Sequence, residues 1–315
     1  MQVRRSSQST FRKTTAITHQ HQYDPDTPEP TTFGPGSEER LGRSDRFYES
    51  TNRRIVKWLA PGPGNRILDA GCGTAGFTQL LAESIGDDDF VDAADTSEHL
   101  LEYNRSRFAE DRIGKRIRFH EAPIQDLPFD NGTFDLVWSS RAVHHLADQL
   151  AGVKELARVV APGGKLAVRE GGVSARFMPT TMELTGTGLN ERLADAMESW
   201  FASHVHFGED AVPYPYGWTQ LLRDAGMEDV TARTFIHEFL APFTELQQSF
   251  LLGGITRWAT DESRRDYLSE KDRSALKRLI DPGDVEYVFN RPDLHFIEGI
   301  TVYVGSGVGT DTHGS

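Results

Sequence analysis

Hydrophobic and polar positions along the chain fall into two rhythms. Short apolar runs, among them 67–68, 90–94, 134–138 and 165–169, stand between longer stretches whose apolar residues recur at helical spacing. The runs predict buried strands, and the recurrences predict amphipathic helices. A first helix is expected over 44–59, with Phe47, Ile55, Val56 and Trp58 turned inward and Pro61-Gly62-Pro63-Gly64 stopping it. Helices over 77–85, 97–110 and 147–160 then alternate with strands over 67–68, 90–94, 116–120, 134–138 and 165–169, with a stop at Pro162-Gly163-Gly164. Strands and helices alternating at these lengths predict an α/β fold with a doubly wound, mostly parallel sheet.

Beyond residue 170 the alternation lapses. Residues 189–201 form an amphipathic helix candidate, 218–225 a short helix ended by Gly226, and 230–239 and 296–304 two late strands. Residues 241–293 read as helical and charged, anchored by Phe250, Leu251, Leu252 and Trp258. The irregular segments, about 171–215 and 241–293, exceed ordinary loops and are read as cap insertions over the sheet. The main domain is expected over 41–305, between a disordered tail at 1–40, rich in Thr, Ser, Gln and Pro, and a flexible tail at 306–315. Arg4, Arg5, Arg12 and Lys13 precede any acid, as in an organelle transit peptide; a solvated tail or an overlong gene start is the simpler account.

Composition narrows the partners. The net charge is −13, which repels phosphate backbones and argues against nucleic acid. Cys72 is the only cysteine, so no intrachain disulfide forms, as suits a reducing compartment. No apolar run approaches the roughly 18 residues of a membrane span. The expectation is a cytoplasmic protein without membrane contact.

The chemistry centres on 66–77, RILDAGCGTAGF, where a strand leads through Gly71, Gly73 and Gly76 into a helix. Glycine lets the chain bend sharply and lets its backbone approach a ligand with no Cβ between. About twenty residues further on, Asp95 ends the next strand, where an acid accepts from ribose hydroxyls. Cys72, between two of the glycines, is a small packing residue rather than a reactive thiol.

Four stretches together, LDAGCGTAGF (68–77), VDAADTS (91–97), APIQDLPFDNGTFDLVWSSRAVHHL (122–146) and ELARVVAPGGKLAVRE (155–170), resemble the class I S-adenosylmethionine-dependent methyltransferases, in particular the small-molecule type-11 group. The resemblance spans 45–305 and implies a seven-stranded, Rossmann-like sheet closed by an antiparallel C-terminal hairpin. It implies S-adenosyl-L-methionine as cofactor: ribose on Asp95 and Thr96, adenine on the turn of Gln125, Asp126 and Leu127, and the methionine end against Gly71, Gly73 and the backbone around Ser139. Asp69 either orients the turn or touches the ligand, and Tyr48 lies where related enzymes close a lid. A nicotinamide-binding domain shares the glycine turn and the acid but does not call for the Gln125-Asp126-Leu127-Pro128 turn or the late strand pair.

Methyl transfer from a sulfonium needs alignment first, and a base only where the acceptor must lose a proton. Three candidates for the catalytic base stand at strand ends: His144 and His145 after the fourth strand, and Glu170 after the fifth, which alternatively holds a loop or a cationic acceptor. His204 and His206 in the cap, with Tyr214, Tyr216, Trp218, Phe243, Phe250 and Trp258, either line an acceptor pocket or fill an ordinary core. No metal-ligand spacing is evident, although a diphosphate acceptor can bring magnesium to scattered acids. The expectation is therefore a small-molecule methyltransferase, a homodimer being compatible with it. O- or N-methylation is favoured over C-methylation of an isoprenoid or aromatic carbon with Glu170 as base. A non-catalytic, cofactor-binding regulatory partner and a protein or RNA methyltransferase are the other readings.

Overall fold

The computed structural model describes residues 33–204 and 211–309. The tail expectations for 1–32 and 310–315, and those for His206 and the His204 side chain, lie outside them.

The first helix, α1 (Ser37–Leu59), starts earlier than apolar spacing suggests. Its opening turns carry acids that suit a helix N-terminus, Glu38 and Glu39, and the residues buried there are Gly42 and Ser44, which give no apolar signal. Residues 37–40 therefore belong to the folded domain and not to the tail. The helix ends where Ala60 turns left-handed before Pro61.

The parallel units follow in the expected order: β1 (Ile67–Ala70), α2 (Gly76–Ser84), β2 (Val91–Asp95), α3 (Glu98–Arg107), β3 (Ile117–Glu121), β4 (Phe134–Ser140), α4 (Gln149–Arg158) and β5 (Val160–Arg176). Next come a two-stranded ribbon, β6 (Thr181–Met182) with β7 (Gly186–Thr187), then α5 (Leu189–His204), α6 (Trp218–Asp224), β8 (Glu228–Leu240), α7 (Glu245–Thr260), α8 (Glu270–Ile280) and β9 (His295–Ser306). The main sheet has seven strands in the order β3-β2-β1-β4-β5-β9-β8. Neighbours among β1 to β5 run parallel, while β9 runs antiparallel to both β5 and β8. The β8–β9 pair is the expected antiparallel closure, although α7 and α8 lie between its strands in sequence.

Successive residues of β1 face opposite sides. Ile67 joins a core with α1, α2 and the late helices, and Leu68 joins one with α4 and α6. Both are fully buried, and each contributes roughly 1.5–3 kcal/mol. Phe77 of α2 stacks on Trp138 of β4 at 3.9 Å, fixing α2 to the sheet just past the glycine turn.

One boundary differs from expectation. The strand that was to end near residue 169 continues to Arg176, still paired with β9, so the first insertion does not begin at 171. Gly171 and Gly172 look like a strand stop but form an irregularity inside the ladder. Gly172 has φ +131°, and a Cβ there would stand 2.1 Å from the Gly299 carbonyl oxygen. Among the described residues no helix is long and apolar enough to cross a membrane.

Candidate active site

The turn after β1 is built by left-handed glycines. Gly71 has φ +79°, and a Cβ on it would lie 2.6 Å from Ala142 Cβ. Its amide and that of Cys72 donate to the Ala94 carbonyl, at 2.8 and 3.0 Å. Gly73 donates to Asp95 Oδ2 at 2.8 Å, and Ser97 N donates to Oδ1 at 2.9 Å. A Cβ on Gly76 would strike the Asp45 carboxylate. These amides thus tie the turn to β2 and set Asp95 beside it.

Three acids crowd this turn. Asp69 is buried and accepts from Thr78 Oγ1 at 2.6 Å; burial, with Asp45 and Asp95 adding to it, pushes its pKa up to about 7. Burial likewise raises Asp95, and raises Asp45, which accepts from Thr74 Oγ1 at 2.6 Å. Raised carboxylates around a turn of open backbone suit a ligand bearing positive charge. Asp69 thereby ties the end of β1 to the first turn of α2. Burial also pushes the Cys72 thiol well up, in keeping with packing.

The second part of the site lies at the ends of β4 and β5. Glu170 is 2% exposed. Its Oε1 accepts from the amides of Ala142 and Val143, both at 3.0 Å, and its Oε2 meets His144 Nδ1 at 2.5 Å. Of the expectations for Glu170, these bonds fit the one in which it holds a loop: its oxygens engage the 3₁₀ turn Val143–His145 and His144. In the neutral imidazole the hydrogen sits on Nδ1, facing the carboxylate, and Nε2 keeps a lone pair. The His144 ring is part-exposed and lies 5.2 Å from Phe201 of α5 and 4.1 Å from the His145 ring. Burial first, then the charges of His144 and Arg141, lower His145 to about 4, leaving it neutral at pH 7, and its buried Nδ1 has no hydrogen-bond partner.

The remaining candidates divide. Thr96, Gln125 and Asp126 are exposed at strand ends on the same side as the glycine turn. Leu127 is buried, and its turn is clamped from α4: Glu155 Oε1 accepts from Leu127 N at 2.9 Å, and Arg158 donates to the carbonyls of Leu127 and Phe129 at 3.0 and 2.7 Å. Ser139 is fully buried, its hydroxyl donating to Ala70 O at 2.9 Å, so it stitches β4 to β1. Tyr48 is buried. Its hydroxyl donates to Glu298 Oε2 at 2.8 Å and its ring lies under Arg169 at 4.9 Å, placing it in the packing between α1 and β9 rather than on the glycine turn. Phe243 and Trp258 are core residues, and Tyr216 points to solvent. A cleft of about 570 Å³ between α5 and α8 holds none of these residues. Among the described residues no group of three His, Cys, Asp or Glu is placed to hold a metal ion.

Sequence reading missed the start of α1. Asp45 meets Thr74 at the glycine turn, and the Phe33 carbonyl accepts from Ser97 Oγ at 2.9 Å. The Phe33 ring stands edge-on to His145 at 6.5 Å, so residues before β1 reach across the strand ends. Only the tertiary structure brings them there. Asp45 follows Ser44 in a helix whose apolar pattern begins later.

Comparison with known proteins agrees with this geometry. Residues 67–164 match the model of a methyltransferase domain. Demethylmenaquinone methyltransferase from Clavibacter sepedonicus is 38% identical over 127 residues, 40% of this chain and 48% of that protein. 27-O-demethylrifamycin SV methyltransferase from Amycolatopsis mediterranei is 31% identical over 128 residues, 40% of this chain and 46% of that protein. The chain thus spans about half the length of the curated relatives it matches. The solved structure of the YcgJ protein from Bacillus subtilis superposes with a TM-score of 0.50 at 14% identity, covering 82% of this chain and 99% of that one, a likeness of fold. Glycine turn, flanking acids, strand order and matched residues converge: residues 67–164 of this chain are a methyltransferase domain of the class I S-adenosylmethionine-dependent family.

Proposed function

We propose that the protein transfers a methyl group from S-adenosylmethionine directly to a nucleophilic oxygen or nitrogen of a small molecule, with His144 as the base. The observation that carries this reading is the Glu170–His144 pair at the strand ends, beside an acid-lined glycine turn. The cofactor, when bound, supplies an electrophilic methyl on a positively charged sulfur. The chain's own residues do the rest. Asp95 and the backbone of the glycine turn hold the nucleoside end, with Asp126 near the adenine. Asp45, Asp69 and Asp95 give a negative field that suits a sulfonium and an ammonium. Glu170 fixes the His144 tautomer, so that Nε2 can take a proton from the acceptor as it becomes a nucleophile. Phe201 packs on the imidazole and restricts water around it.

C-methylation with Glu170 as the base is not favoured, because the carboxylate oxygens already accept two amides and an imidazole. Incubation with methyl-labelled cofactor and small-molecule extract, followed by mass identification of the product, tests the proposal. A labelled ether, ester or amine supports it; label on carbon overturns the choice of atom. Cofactor binding without any labelled product favours a non-catalytic partner, and calorimetric heat with a reduced nicotinamide but none with S-adenosylmethionine sinks the cofactor assignment.

A further inference from the structure

Two carbonyl oxygens of the glycine turn are held by α3, a helix that carries none of the residues expected at the site. Gly73 O accepts from Asn104 Nδ2 at 2.8 Å, and Thr74 O accepts from Arg107 Nη1 at 2.7 Å. Arg107 reaches on to Gln79 Oε1 of α2, also at 2.8 Å. From other sides, Thr74 Oγ1 donates to Asp45 of α1, and Gly73 N donates to Asp95 of β2. The turn is thus clasped by α1, β2 and α3 together.

The clasp answers a conformational need. Gly73 is left-handed at φ +54°, and so is Ala75 at φ +56°. For glycine that state costs little. Ala75 is fully buried and carries a Cβ, so the same state is strained, and it persists only where surrounding bonds over-determine it. Thr74, between the two, is held at both its carbonyl and its hydroxyl.

Asn104 is the buried member of the clasp. It is fully buried, on the same side of α3 as Leu100 and Leu101. A carbonyl only accepts, so the amide nitrogen must face Gly73, and the buried Oδ1 is left without a hydrogen-bond partner among the described residues. A half-paired amide costs the fold free energy that a leucine of similar size avoids. Leucine cannot hold the Gly73 carbonyl. The cost therefore has one compensating polar contact, and that contact lies on the turn.

We propose that Asn104 is a positioning residue of the cofactor site: by holding the Gly73 carbonyl on α3, it keeps the turn in its binding shape before a ligand arrives. Its part in binding S-adenosylmethionine rests on the methyltransferase reading; its hold on the turn does not. The test compares wild type, Asn104→Leu, Asn104→Ala and a control, Leu101→Ala, each as the full chain. Leu101 lies about one turn earlier on α3, fully buried in the apolar core. Amide hydrogen exchange is followed at residues 71–76 without ligand, and calorimetry is run with S-adenosylmethionine and with its demethylated product.

Asn104→Leu should melt close to wild type, because losing the hydrogen bond is offset by removing the unpartnered oxygen, while both alanine variants should melt lower through the cavities they leave. Exchange at 71–76 should be about tenfold faster in Asn104→Leu and Asn104→Ala, and both ligands should bind these two about tenfold more weakly, the effect of one hydrogen bond. Leu101→Ala, measured well below its melting temperature, should match wild type in both readouts. Exchange at 71–76 that is unchanged in the Asn104 variants overturns the proposal. Equal losses in Leu101→Ala also overturn it, since they would make Asn104 one core residue among others. Faster exchange with unchanged affinity overturns its part in cofactor binding. Faster exchange in the Asn104 variants of a protein whose wild type binds neither ligand supports the hold on the turn and sinks the methyltransferase reading instead.

Discussion

The turn after β1 and the seam between α1 and α7 are assembled in different ways. At the turn, Asp45, Asp69 and Asp95 gather within sequence-local strand ends and the first helix, each with its proton affinity raised by burial. Along the seam, Arg43 lies over Gly253 and Phe47 stacks on Phe250, residues about two hundred apart in the chain that meet only through helix packing. The turn suits a ligand bearing positive charge, and Arg141 and His144 stand in the segment after β4. The contrast teaches that the two regions are built from different kinds of information: local spacing gathers the acids of the turn, and helix packing gathers the residues of the seam.

The largest effect that can break the contrast falls on the turn. Gly71→Val puts a branched side chain at φ +79° against Ala142, which should cost about 2–5 kcal/mol and abolish calorimetric binding of S-adenosylmethionine. A stable variant with intact binding would remove the turn from the cofactor site. Next, His144→Gln should lower kcat about a hundredfold or more while cofactor affinity is kept, the range for loss of a general base. Glu170→Gln should lower kcat similarly, because an amide NH donated to Nδ1 forces the proton onto Nε2. Equal activity in either variant, measured with the identified acceptor, would leave the reaction without a base.

Tyr48→Phe sharpens the comparison from the other side. It should destabilise by about 1–3 kcal/mol, since Glu298 loses its buried donor, and should leave cofactor affinity unchanged. A loss of affinity would return Tyr48 to the cofactor site.

Asp69 gives a pH signature of defined sign. Its folded pKa of about 7 lies above the ordinary 3.8, so the fold holds the proton more tightly than the unfolded chain. That stabilisation is complete below about pH 4 and is lost as pH rises through 7. Between pH 5 and 8 the ligand-free melting temperature of Asp69→Asn should therefore fall less with pH than that of the wild type, and parallel curves would refute the assignment. The smallest expected effect is at Asp126→Ala. Stability should stay within about 0.5 kcal/mol because the side chain is exposed, while S-adenosylmethionine affinity drops severalfold.

Much of the parallel half was legible in advance. The strand at 67–70, the glycine turn and Asp95 lie within one short segment and are specified by local backbone needs: apolar runs for strands, left-handed positions for glycine. His144, His145 and Glu170 were also recognisable as strand-end residues, but not their bonding. A sequence places Glu170 at the end of β5; it does not say that both oxygens turn inward onto residues 142–144. The opening of α1 escaped for a related reason. Gly42 and Ser44 are buried without being apolar, so no periodicity marks them.

By itself the chain determined the order of strands and helices from β1 to β5 and the conformation of its first turn, because those follow from spacing and backbone needs within a few residues. Tertiary structure alone decided that Glu170 meets His144 and the amides of Ala142 and Val143, that Tyr48 donates to Glu298, and that Arg43 lies over Gly253. Those pairings depend on which distant surfaces pack together, and that is fixed by burial summed over the whole molecule rather than by any local pattern.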